Sequence, residues 1–332
     1  MKRKITVLIA LLLCAAAAVF CFSGCGKDTA QNGRLRVVTT IFPEYDWTRE
    51  ILGDAEKDID LQLLIGNGVD LHSYQPSMDD IMLVTNCDVF VYVGGESDKW
   101  VTDALAQASN KDMKVVKLMD VIGSAAKTEE TVEGMQKHDD EDHDHEHEEA
   151  EYDEHIWLSL KNASLSCDAI TDALSKAMPD KAALFKANNE SYKKKLSDLD
   201  AEYMEAVQKG STDTIVVGDR FPFRYMTEDY GIKYYAAFSG CSAETEVSFD
   251  TIVFLSGKVD ELKLGSIIKT EGSDGSVANT IKDNTKTADQ KILTLDSMQS
   301  VTQENIKNGT TYISVMKNDL EVLSEALNSV RK

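Results

Sequence analysis

The stretch IDLQLLIGNGVDLHSYQPSMDDIMLVTNCDVFVYV, residues 59–93, contains one complete strand–loop–helix–strand unit. Its first apolar run, 59–65, reads as a strand and leads through a Gly-Asn-Gly turn into a polar loop. Ser77 followed three residues later by Asp80, ahead of an apolar run, is a capping signature that predicts the start of a helix. A further strand is predicted over 88–93, so this segment indicates a parallel βαβ unit.

The same alternation of strands and helices continues on both sides of this unit. Further strands are predicted over 35–40, 114–118, 214–218, 233–237, 266–270 and 291–295, and further helices over 44–52, 100–108, 162–177, 180–209, 222–230, 249–264, 277–284 and 312–330. The helix over 180–209 would be about 45 Å long at 1.5 Å per residue, which is long for a globular protein. We therefore expect an α/β protein with two lobes, residues 34–179 and 210–332, joined by this one long helix.

The N-terminal segment has the features of a secretory signal. Basic residues at 2–4 are followed by an apolar run over about 5–22 and by small residues directly before Cys25. This order predicts a signal peptide over 1–24, lipidation at Cys25, and a polar tether over 25–33. The alternative is a short membrane-spanning anchor, for which the apolar run is barely long enough, since a spanning helix needs about 20 apolar residues. We expect the remainder to lie outside the cytoplasm, attached by lipid to the outer face of the cell membrane.

The charge and the cysteines exclude several classes of function. The chain has 57 acidic and 35 basic residues and a formal net charge of −22, which argues against binding to nucleic acid. Beyond Cys25, the cysteines are Cys87, Cys167 and Cys241, so at most one disulfide can form, and a Cys167–Cys241 pair stays open. No CxxC pair is present, so we do not expect a zinc site built from cysteines.

Four of the six histidines lie within an acidic insertion that interrupts the α/β pattern at about 122–154. Such a charged segment cannot bury enough apolar surface to fold alone, so we expect it to be disordered. Imidazole is a common ligand of transition metals, and acidic neighbours attract cations. The alternative is a solvated charge run that merely contains histidine. We favour auxiliary metal contacts at His138, His143, His145 and His147.

The remaining histidines, His72 and His155, are candidates for one metal site. His72 lies in a loop after a predicted strand, where ligands bind in open α/β sheets, and His155 has acidic neighbours that could orient its ring. Asp219 and Asp296 each follow a predicted strand of the second lobe, although aspartate is also common in turns. A site of two histidines with carboxylates suits zinc. Manganese and iron also bind such sites, but the ligand set is less specific for them.

Four segments carry a resemblance to a known family. DLHSYQPS at 70–77, VYVGGESDKW at 91–100, DEHIW at 153–157 and YGI at 230–232 resemble the metal-binding solute-binding lipoproteins of ABC importers that take up zinc and manganese. The likeness covers about 34–331, and the acidic, histidine-rich insertion is typical of the zinc members.

The resemblance implies two lobes, each with a four-stranded, mainly parallel sheet, a rigid connecting helix, and a metal ion in the cleft. Its first, second and last ligands correspond to His72, His155 and Asp296. The third ligand, a histidine in zinc receptors and a glutamate in manganese receptors, corresponds to Arg220. Arginine carries a permanent positive charge and cannot ligate a metal.

Three replacements for this third ligand stay open. The first is Asp219, one residue earlier in the chain; the second is water; the third is Glu244 or Glu246 in the loop after the next strand. Arg220 itself could pair with Asp219 or with Glu154, because a cation beside a metal needs a neutralising partner.

The function that the resemblance implies is capture of zinc and its delivery to the permease of an ABC importer, by a monomer and without enzymatic activity. A manganese or iron receptor is the alternative within the family. A zinc metalloenzyme, with three protein ligands and an open water position, is an alternative from another class, but no H-E-x-x-H motif is present. A surface adhesin is a further alternative, and it is compatible with metal transport.

Overall fold

The structure is a computed structural model that describes residues 34–136, 151–242 and 246–331. Within these residues the chain forms two four-stranded sheets, with strand orders β2-β1-β3-β4 and β6-β5-β7-β8, and every strand pair is parallel. The strands are β1 Leu35–Thr39, β2 Ile59–Leu63, β3 Val89–Tyr92, β4 Lys114–Lys117, β5 Thr214–Phe221, β6 Lys233–Ser239, β7 Ser266–Thr270 and β8 Lys291–Leu295. The predicted α/β fold with two lobes is confirmed.

Helices cover these sheets and connect them. They are α1 Phe42–Leu52, α2 Met78–Thr85, α3 Trp100–Ala106, α4 Leu118–Ile122, α5 Leu160–Ala177, α6 Ala182–Lys209, α7 Arg224–Tyr230, α8 Phe249–Glu261, α9 Ser276–Asp283, α10 Gln303–Lys307 and α11 Tyr312–Leu327. The short helices α4 and α10 had no counterpart in the sequence prediction, because a helix of five residues has too few turns to show periodicity. None of the helices among the described residues combines the length and the apolar composition needed to cross a membrane.

The cap of α2 forms as the sequence predicts. Ser77 Oγ accepts a hydrogen bond from the Asp80 backbone N–H at 3.2 Å, and Asp80 Oδ2 accepts one from the Ser77 backbone N–H at 2.8 Å. This reciprocal pair satisfies two N–H groups that would otherwise lack partners at the helix start. It also ends the loop between β2 and α2, which carries His72, at a defined position.

The long helix α6 has 28 residues and is therefore about 42 Å long. Its buried face is formed by Phe185, Asn189, Tyr192, Leu196, Leu199 and Tyr203. The helix contacts the first lobe where Asn188 donates to the carbonyl of Ile51 at 2.9 Å, and the second lobe where Tyr203 donates to the carbonyl of Met316 at 2.6 Å. One continuous helix therefore packs against both lobes and restricts their relative motion.

Buried aromatic side chains tie the lobes together at the base of the cleft. Trp157 is 1% exposed, and its Nε1 donates to the carbonyl of Ser297 at 2.8 Å. The hydroxyl of Tyr312 donates to the carbonyl of Trp157 at 2.7 Å, and the Tyr312 ring meets Trp47 edge-on with centroids 5.1 Å apart. Since interiors of this kind are close-packed, we expect only small movements between the lobes.

The strand β5 is longer than the predicted 214–218 and ends at Phe221. Its pairing with β6 shifts register between Val217 and Arg220, as at a β-bulge. Asp219 and Arg220 therefore lie within the strand instead of after it. A bulge changes the direction of the side chains that follow it, which a sequence pattern of period two does not reveal.

The insertion predicted over 122–154 is packed at both of its flanks. The segment 127–136, here called the strap, lies along the second lobe: Lys127 N–H donates to the Tyr225 hydroxyl at 2.9 Å, and Gln136 N–H donates to the carbonyl of Ala237 at 2.8 Å. The central part of the insertion, with its four histidines, and the lipidation site predicted at Cys25 lie outside the described residues.

Candidate metal centre

His72 lies in a short 3-10 turn, Leu71–Ser73, in the loop after β2. The carboxylate of Asp70 accepts a hydrogen bond from the His72 backbone N–H at 2.9 Å and so caps this turn. On the ring, Nδ1 lies 2.9 Å from Ser97 Oγ and 3.6 Å from Glu154 Oε2. These contacts engage Nδ1 and leave Nε2 as the nitrogen available to a metal.

His155 directly precedes a second 3-10 turn, Ile156–Leu158, and its side chain is fully buried. Asp153 Oδ1 accepts the backbone N–H of His155 at 2.9 Å and lies 2.9 Å from its Nδ1. Because a carboxylate can only accept, Nδ1 carries the proton and Nε2 presents its lone pair. A histidine held in this way is ready to ligate a metal through Nε2.

The two Nε2 atoms of His72 and His155 lie 3.1 Å apart. Two nitrogen ligands of a tetrahedral zinc ion, each at 2.0–2.1 Å from the metal, are separated by roughly 3.3–3.4 Å. The two rings therefore need only a slight adjustment to share one ion. The structure brings together the two histidines that the sequence analysis singled out.

A cysteine completes this group. One ligand atom each from His72, His155 and Cys241 lie within 4.8 Å of one another, and this is the one group of its kind among the described residues. Cys241 follows β6 and is a free thiol, as are Cys87 and Cys167, so no Cys167–Cys241 disulfide forms. We call His72, His155 and Cys241 the His/His/Cys group.

Cys241 is held by the strap and by its glycine neighbour. Its backbone N–H donates to Glu129 Oε1 at 2.8 Å. At Gly240, an added Cβ would lie 2.9 Å from the carbonyl oxygen of Phe221 and 3.2 Å from Cε1 of His155. Only glycine lets the loop approach the His155 ring this closely, so the position of the thiol depends on a residue without a side chain.

The structure does not place Asp296 in the His/His/Cys group. Its carboxylate accepts the Met298 backbone N–H at 2.8 Å, and its own backbone N–H donates to Asp319 Oδ1 at 2.9 Å. Burial raises the pKa of Asp296, and burial together with the charge of Asp296 raises the pKa of Glu271 to about 7. Asp296 therefore belongs to a separate set of neighbouring carboxyl groups, with the partly buried Glu271 and the buried Asp319.

Asp219 is likewise outside the group, and each of its two oxygens accepts a backbone N–H. Oδ1 accepts the Arg220 backbone N–H at 2.9 Å, and Oδ2 accepts the Thr270 backbone N–H at 3.3 Å. Of the other two carboxylates considered as third ligand, Glu244 lies outside the described residues and Glu246 is exposed.

Arg220, at the position that the resemblance assigns to the third ligand, forms an ion pair across the cleft. Its Nη2 lies 2.8 Å from Asp70 Oδ2, whereas the sequence analysis considered Asp219 and Glu154 as its partners. The other oxygen of Asp70 holds the backbone N–H of His72. Arg220 thus braces, from the second lobe, the turn that carries a histidine of the first lobe.

The surroundings shift the pKa values of the two histidines in opposite directions. Burial and the neighbouring His155 lower the pKa of His72 to about 4, although Asp70 opposes part of this effect. Burial also lowers the pKa of His155, but the carboxylates of Asp153 and Glu154 outweigh it and raise that pKa above its usual value. His155 therefore takes up a proton at a higher pH than His72 does.

A cavity of about 600 Å³ lies between the lobes next to this group. Asp70 and Ser73, on either side of His72, line it from the first lobe, and Arg220 and Ser242 line it from the second. Most of the lining residues are polar, and the cavity borders the loops that carry His72 and Cys241 without being lined by either side chain.

Cys241 is not predicted from the sequence to lie beside the two histidines. A second cysteine close in the chain is the usual signature of a cysteine-containing zinc site, and Cys241 has none. The available signal was its place directly after a predicted strand, in the loop that was already considered for Glu244 and Glu246.

Comparison with known proteins agrees with this architecture. The family described as ZnuA, zinc-uptake complex component A, periplasmic, matches residues 37–326. The zinc-binding lipoprotein AdcA of Streptococcus pneumoniae is 33% identical over 318 residues, which cover 96% of this chain and 60% of that protein. The high-affinity zinc uptake system protein ZnuA of Bacillus subtilis is 28% identical over 330 residues, covering 98% of this chain and 99% of that protein.

Among solved structures, the Zn(II)-bound ZnuA-like domain of Streptococcus pneumoniae AdcA superposes with a TM-score of 0.68 at 30% identity, covering 89% of this chain and all of that domain. This chain spans about 60% of the length of the streptococcal relatives that it matches. The description of the family names a component of a zinc-uptake complex. Two parallel four-stranded sheets, a long connecting helix and a match over residues 37–326 together establish that the chain belongs to the ZnuA family of zinc-uptake components.

Proposed function

We propose that this protein captures a zinc ion between its two lobes and delivers it to an ABC-type importer. The observation that carries the proposal is the 3.1 Å separation of the Nε2 atoms of His72 and His155, each with its Nδ1 engaged by oxygen atoms. Two converging nitrogen donors favour zinc over manganese, which prefers oxygen ligands. The streptococcal and Bacillus relatives are named as zinc-binding and zinc-uptake proteins, which supports the same assignment.

The remainder of the proposal concerns location and assembly. We propose that residues 1–24 are removed, that Cys25 is lipidated, and that residues 25–33 tether a monomer to the outer face of the cell membrane. The domain organisation proposed is a metal-binding lobe at 34–179, a connecting helix at 180–209 and a second lobe at 210–332. The name of the streptococcal relative, a lipoprotein, supports the anchor.

The acidic insertion has an auxiliary role in this proposal. Its four histidines, His138, His143, His145 and His147, would gather zinc weakly near the cleft. The strap supports this role, since it lies in the N-terminal part of the insertion and its Glu129 accepts the backbone N–H of Cys241 at 2.8 Å. One described part of the insertion therefore contacts the loop that carries the third member of the His/His/Cys group.

Competitive titration of metal-free protein against a chromophoric zinc chelator tests the proposal. We expect one tight site, and we expect His72→Ala or His155→Ala to weaken it on the order of 100-fold or more, because each removes a ligand. Phe249→Ala is the matched control: it removes a ring that is 74% exposed and should leave zinc affinity unchanged.

Two further measurements test the role of the insertion and the role of the protein in zinc uptake, each apart from binding at the tight site. Deleting residues 137–150 should lower the number of weakly bound ions and leave the tight site intact. Radioactive zinc uptake by the native cells should fall when the chain is replaced by its His155→Ala variant. Tight zinc binding that persists in both histidine variants would refute the proposed site.

A further inference from the structure

We propose that Cys241 is the third protein ligand of the zinc ion and that its thiolate makes the receptor select zinc over manganese. This inference rests on the proposed function, since it names a ligand and a selectivity for the same site. Cys241 takes the place of the third ligand of the resemblance, whose position is occupied here by Arg220. Neither the family pattern nor the spacing of cysteines in the sequence points to it.

The geometry is the first argument. The Cys241 sulfur and one nitrogen each of His72 and His155 lie within 4.8 Å of one another. In a tetrahedral zinc site with Zn–S of about 2.3 Å and Zn–N of about 2.0 Å, sulfur and nitrogen are separated by roughly 3.5 Å. A side-chain adjustment on the order of 1 Å is therefore enough to bring the three atoms onto one ion, without a change of fold.

The second argument is that contacts from two parts of the chain hold the loop at Cys241 in place. Gly240 allows the backbone to lie against the His155 ring, and Glu129 holds the Cys241 backbone N–H. The two contacts come from different parts of the chain and fix the residue that carries the thiol. A cysteine that was only filling space would not require a glycine to bring it beside a histidine.

The third argument concerns Arg220. Its guanidinium is engaged by Asp70 at 2.8 Å, so the position that supplies the third ligand in the resemblance is used as a brace here. A thiolate from the next loop supplies the missing donor from the same lobe. Zinc would then join His72 and His155 to Cys241, and would connect the two sides of the cleft.

The local charges suit a cation with one anionic ligand. Zinc with a thiolate and two neutral imidazoles carries a net charge of +1. Burial, and after it the negative charges of Glu129, Asp153 and Glu154, raise the pKa of the Cys241 thiol and so oppose a bare thiolate, whereas the same charges favour a cationic complex. Metal and thiolate are therefore expected to enter the site together, with the thiol proton released to solvent.

Thiolate is a soft ligand, and this determines selectivity. Soft sulfur ligands select zinc, cadmium and copper(I), whereas manganese and magnesium prefer carboxylate, carbonyl and water oxygens. A site with two imidazoles and a thiolate therefore disfavours manganese more strongly than a site with two imidazoles and carboxylates.

Cobalt(II) substitution tests the ligand directly. We expect Co²⁺ bound to the unmodified protein to show a thiolate-to-cobalt charge-transfer band in the near ultraviolet, and Cys241→Ser to lose this band while still binding Co²⁺. Cys87→Ala, which removes a fully buried thiol outside the His/His/Cys group, is the control and should keep the band. Competitive titration should show zinc affinity reduced on the order of 100-fold in Cys241→Ser, with manganese affinity changed less than about threefold.

A measurement on the unmodified protein tests the same ligand without the risk that the Cys241→Ser variant is misfolded. Zinc should protect Cys241 from alkylation in the unmodified chain, as read for each cysteine by peptide mapping. Cobalt bound without a thiolate band, or alkylation of Cys241 unaffected by zinc, would overturn this inference and leave the proposed function standing. Tight zinc binding that persists in both His72→Ala and His155→Ala would instead overturn the proposed function itself, so the two failures are distinguishable.

Discussion

Arg220 reaches across the cleft and places its Nη2 2.8 Å from Asp70 Oδ2, while Oδ1 of the same carboxylate holds the His72 backbone N–H at 2.9 Å. One carboxylate thus connects a cation of the second lobe to a histidine of the first. The ion pair is partly shielded, since the two side chains are 32% and 20% exposed. Arginine at this position therefore positions a ligand and does not serve as one.

This relationship predicts how substitutions at Arg220 behave. Arg220→Ala should weaken zinc binding by about three- to tenfold. The partly exposed ion pair with Asp70 stabilises the arrangement of the His72 turn by about 1 kcal/mol, and the substitution removes that stabilisation. Arg220→His should introduce a nitrogen donor at the position that carries the third ligand in the resemblance. In that background, Cys241→Ser should reduce zinc affinity much less than in the unmodified protein.

The measurement is a double-mutant cycle of zinc affinities for Arg220→His and Cys241→Ser. Two substitutions that act at one ion should be strongly non-additive. Additive effects would mean that the histidine introduced at 220 does not reach the ion.

Zinc affinity should depend on pH through His155. Its pKa is raised above the usual 6.5 by Asp153 and Glu154 despite burial, whereas burial and His155 lower the pKa of His72 to about 4. Zinc requires neutral imidazole, so affinity should start to fall as the pH drops through the raised pKa of His155. His72 should not take up a proton until the pH approaches its lowered pKa of about 4.

The same shift acts on the stability of the metal-free protein with a definite sign. A raised pKa in the folded state means that protonated His155 contributes stability that is complete below its unfolded pKa near 6.5 and is lost as the pH rises through the folded value. Chelator competition between pH 5 and pH 8, together with thermal unfolding of metal-free protein, checks both effects. A pH-independent affinity over this range would contradict the assignment of His155 as a ligand.

Asp153 should affect zinc affinity although it is not one of the proposed ligands. Asp153→Asn keeps the size of the side chain but removes the carboxylate that accepts from Nδ1 of His155. We expect a 10–100-fold loss of zinc affinity, which is typical of removing the partner of a ligating histidine.

Asp198→Asn is the matched control for this substitution, because Asp198 is exposed and pairs only with Lys194 on the surface of α6. Isothermal titration of both variants gives the comparison. Equal zinc affinities for the two would show that Asp153 does not orient the ring.

Gly240 is predicted to be intolerant of even a methyl group. In Gly240→Ala, the added Cβ would lie 2.9 Å from the Phe221 carbonyl oxygen and 3.2 Å from His155 Cε1, so the loop or the ring must move. We expect a loss of about 1–3 kcal/mol in unfolding free energy and a measurable drop in zinc affinity.

Gly257→Ala is the corresponding control. Gly257 lies within α8 with nothing near an added Cβ, and alanine there should stabilise the helix by up to about 1 kcal/mol. Chemical denaturation of metal-free and zinc-loaded protein measures both variants. Similar stabilities for the two would mean that the loop of Cys241 adapts freely.

The fold could be read from the sequence because its signals are local. The capping pair of Ser77 and Asp80 and the alternation of apolar runs with helical periodicity act over a few residues, and they predicted the two lobes. The connecting helix followed from an unbroken pattern that ends at Lys209. His72 and His155 were selected because histidine is scarce elsewhere and because both lie beside acidic or loop residues.

What the sequence could not reveal depends on distances between segments that are remote in the chain. The bulge in β5 turns Arg220 towards Asp70, 150 residues away, and a close approach at Gly240 brings Cys241 beside His155. Neither the bulge nor the close approach leaves a periodic pattern in the sequence, because each depends on how two packed surfaces meet. Asp219 and Asp296 met the sequence criteria for a ligand, yet in the fold backbone N–H groups donate to both oxygens of Asp219 and to Oδ1 of Asp296, and neither residue joins the His/His/Cys group. Local chemistry thus determined the lobes and the two histidines, and tertiary packing decided which third side chain lies beside them.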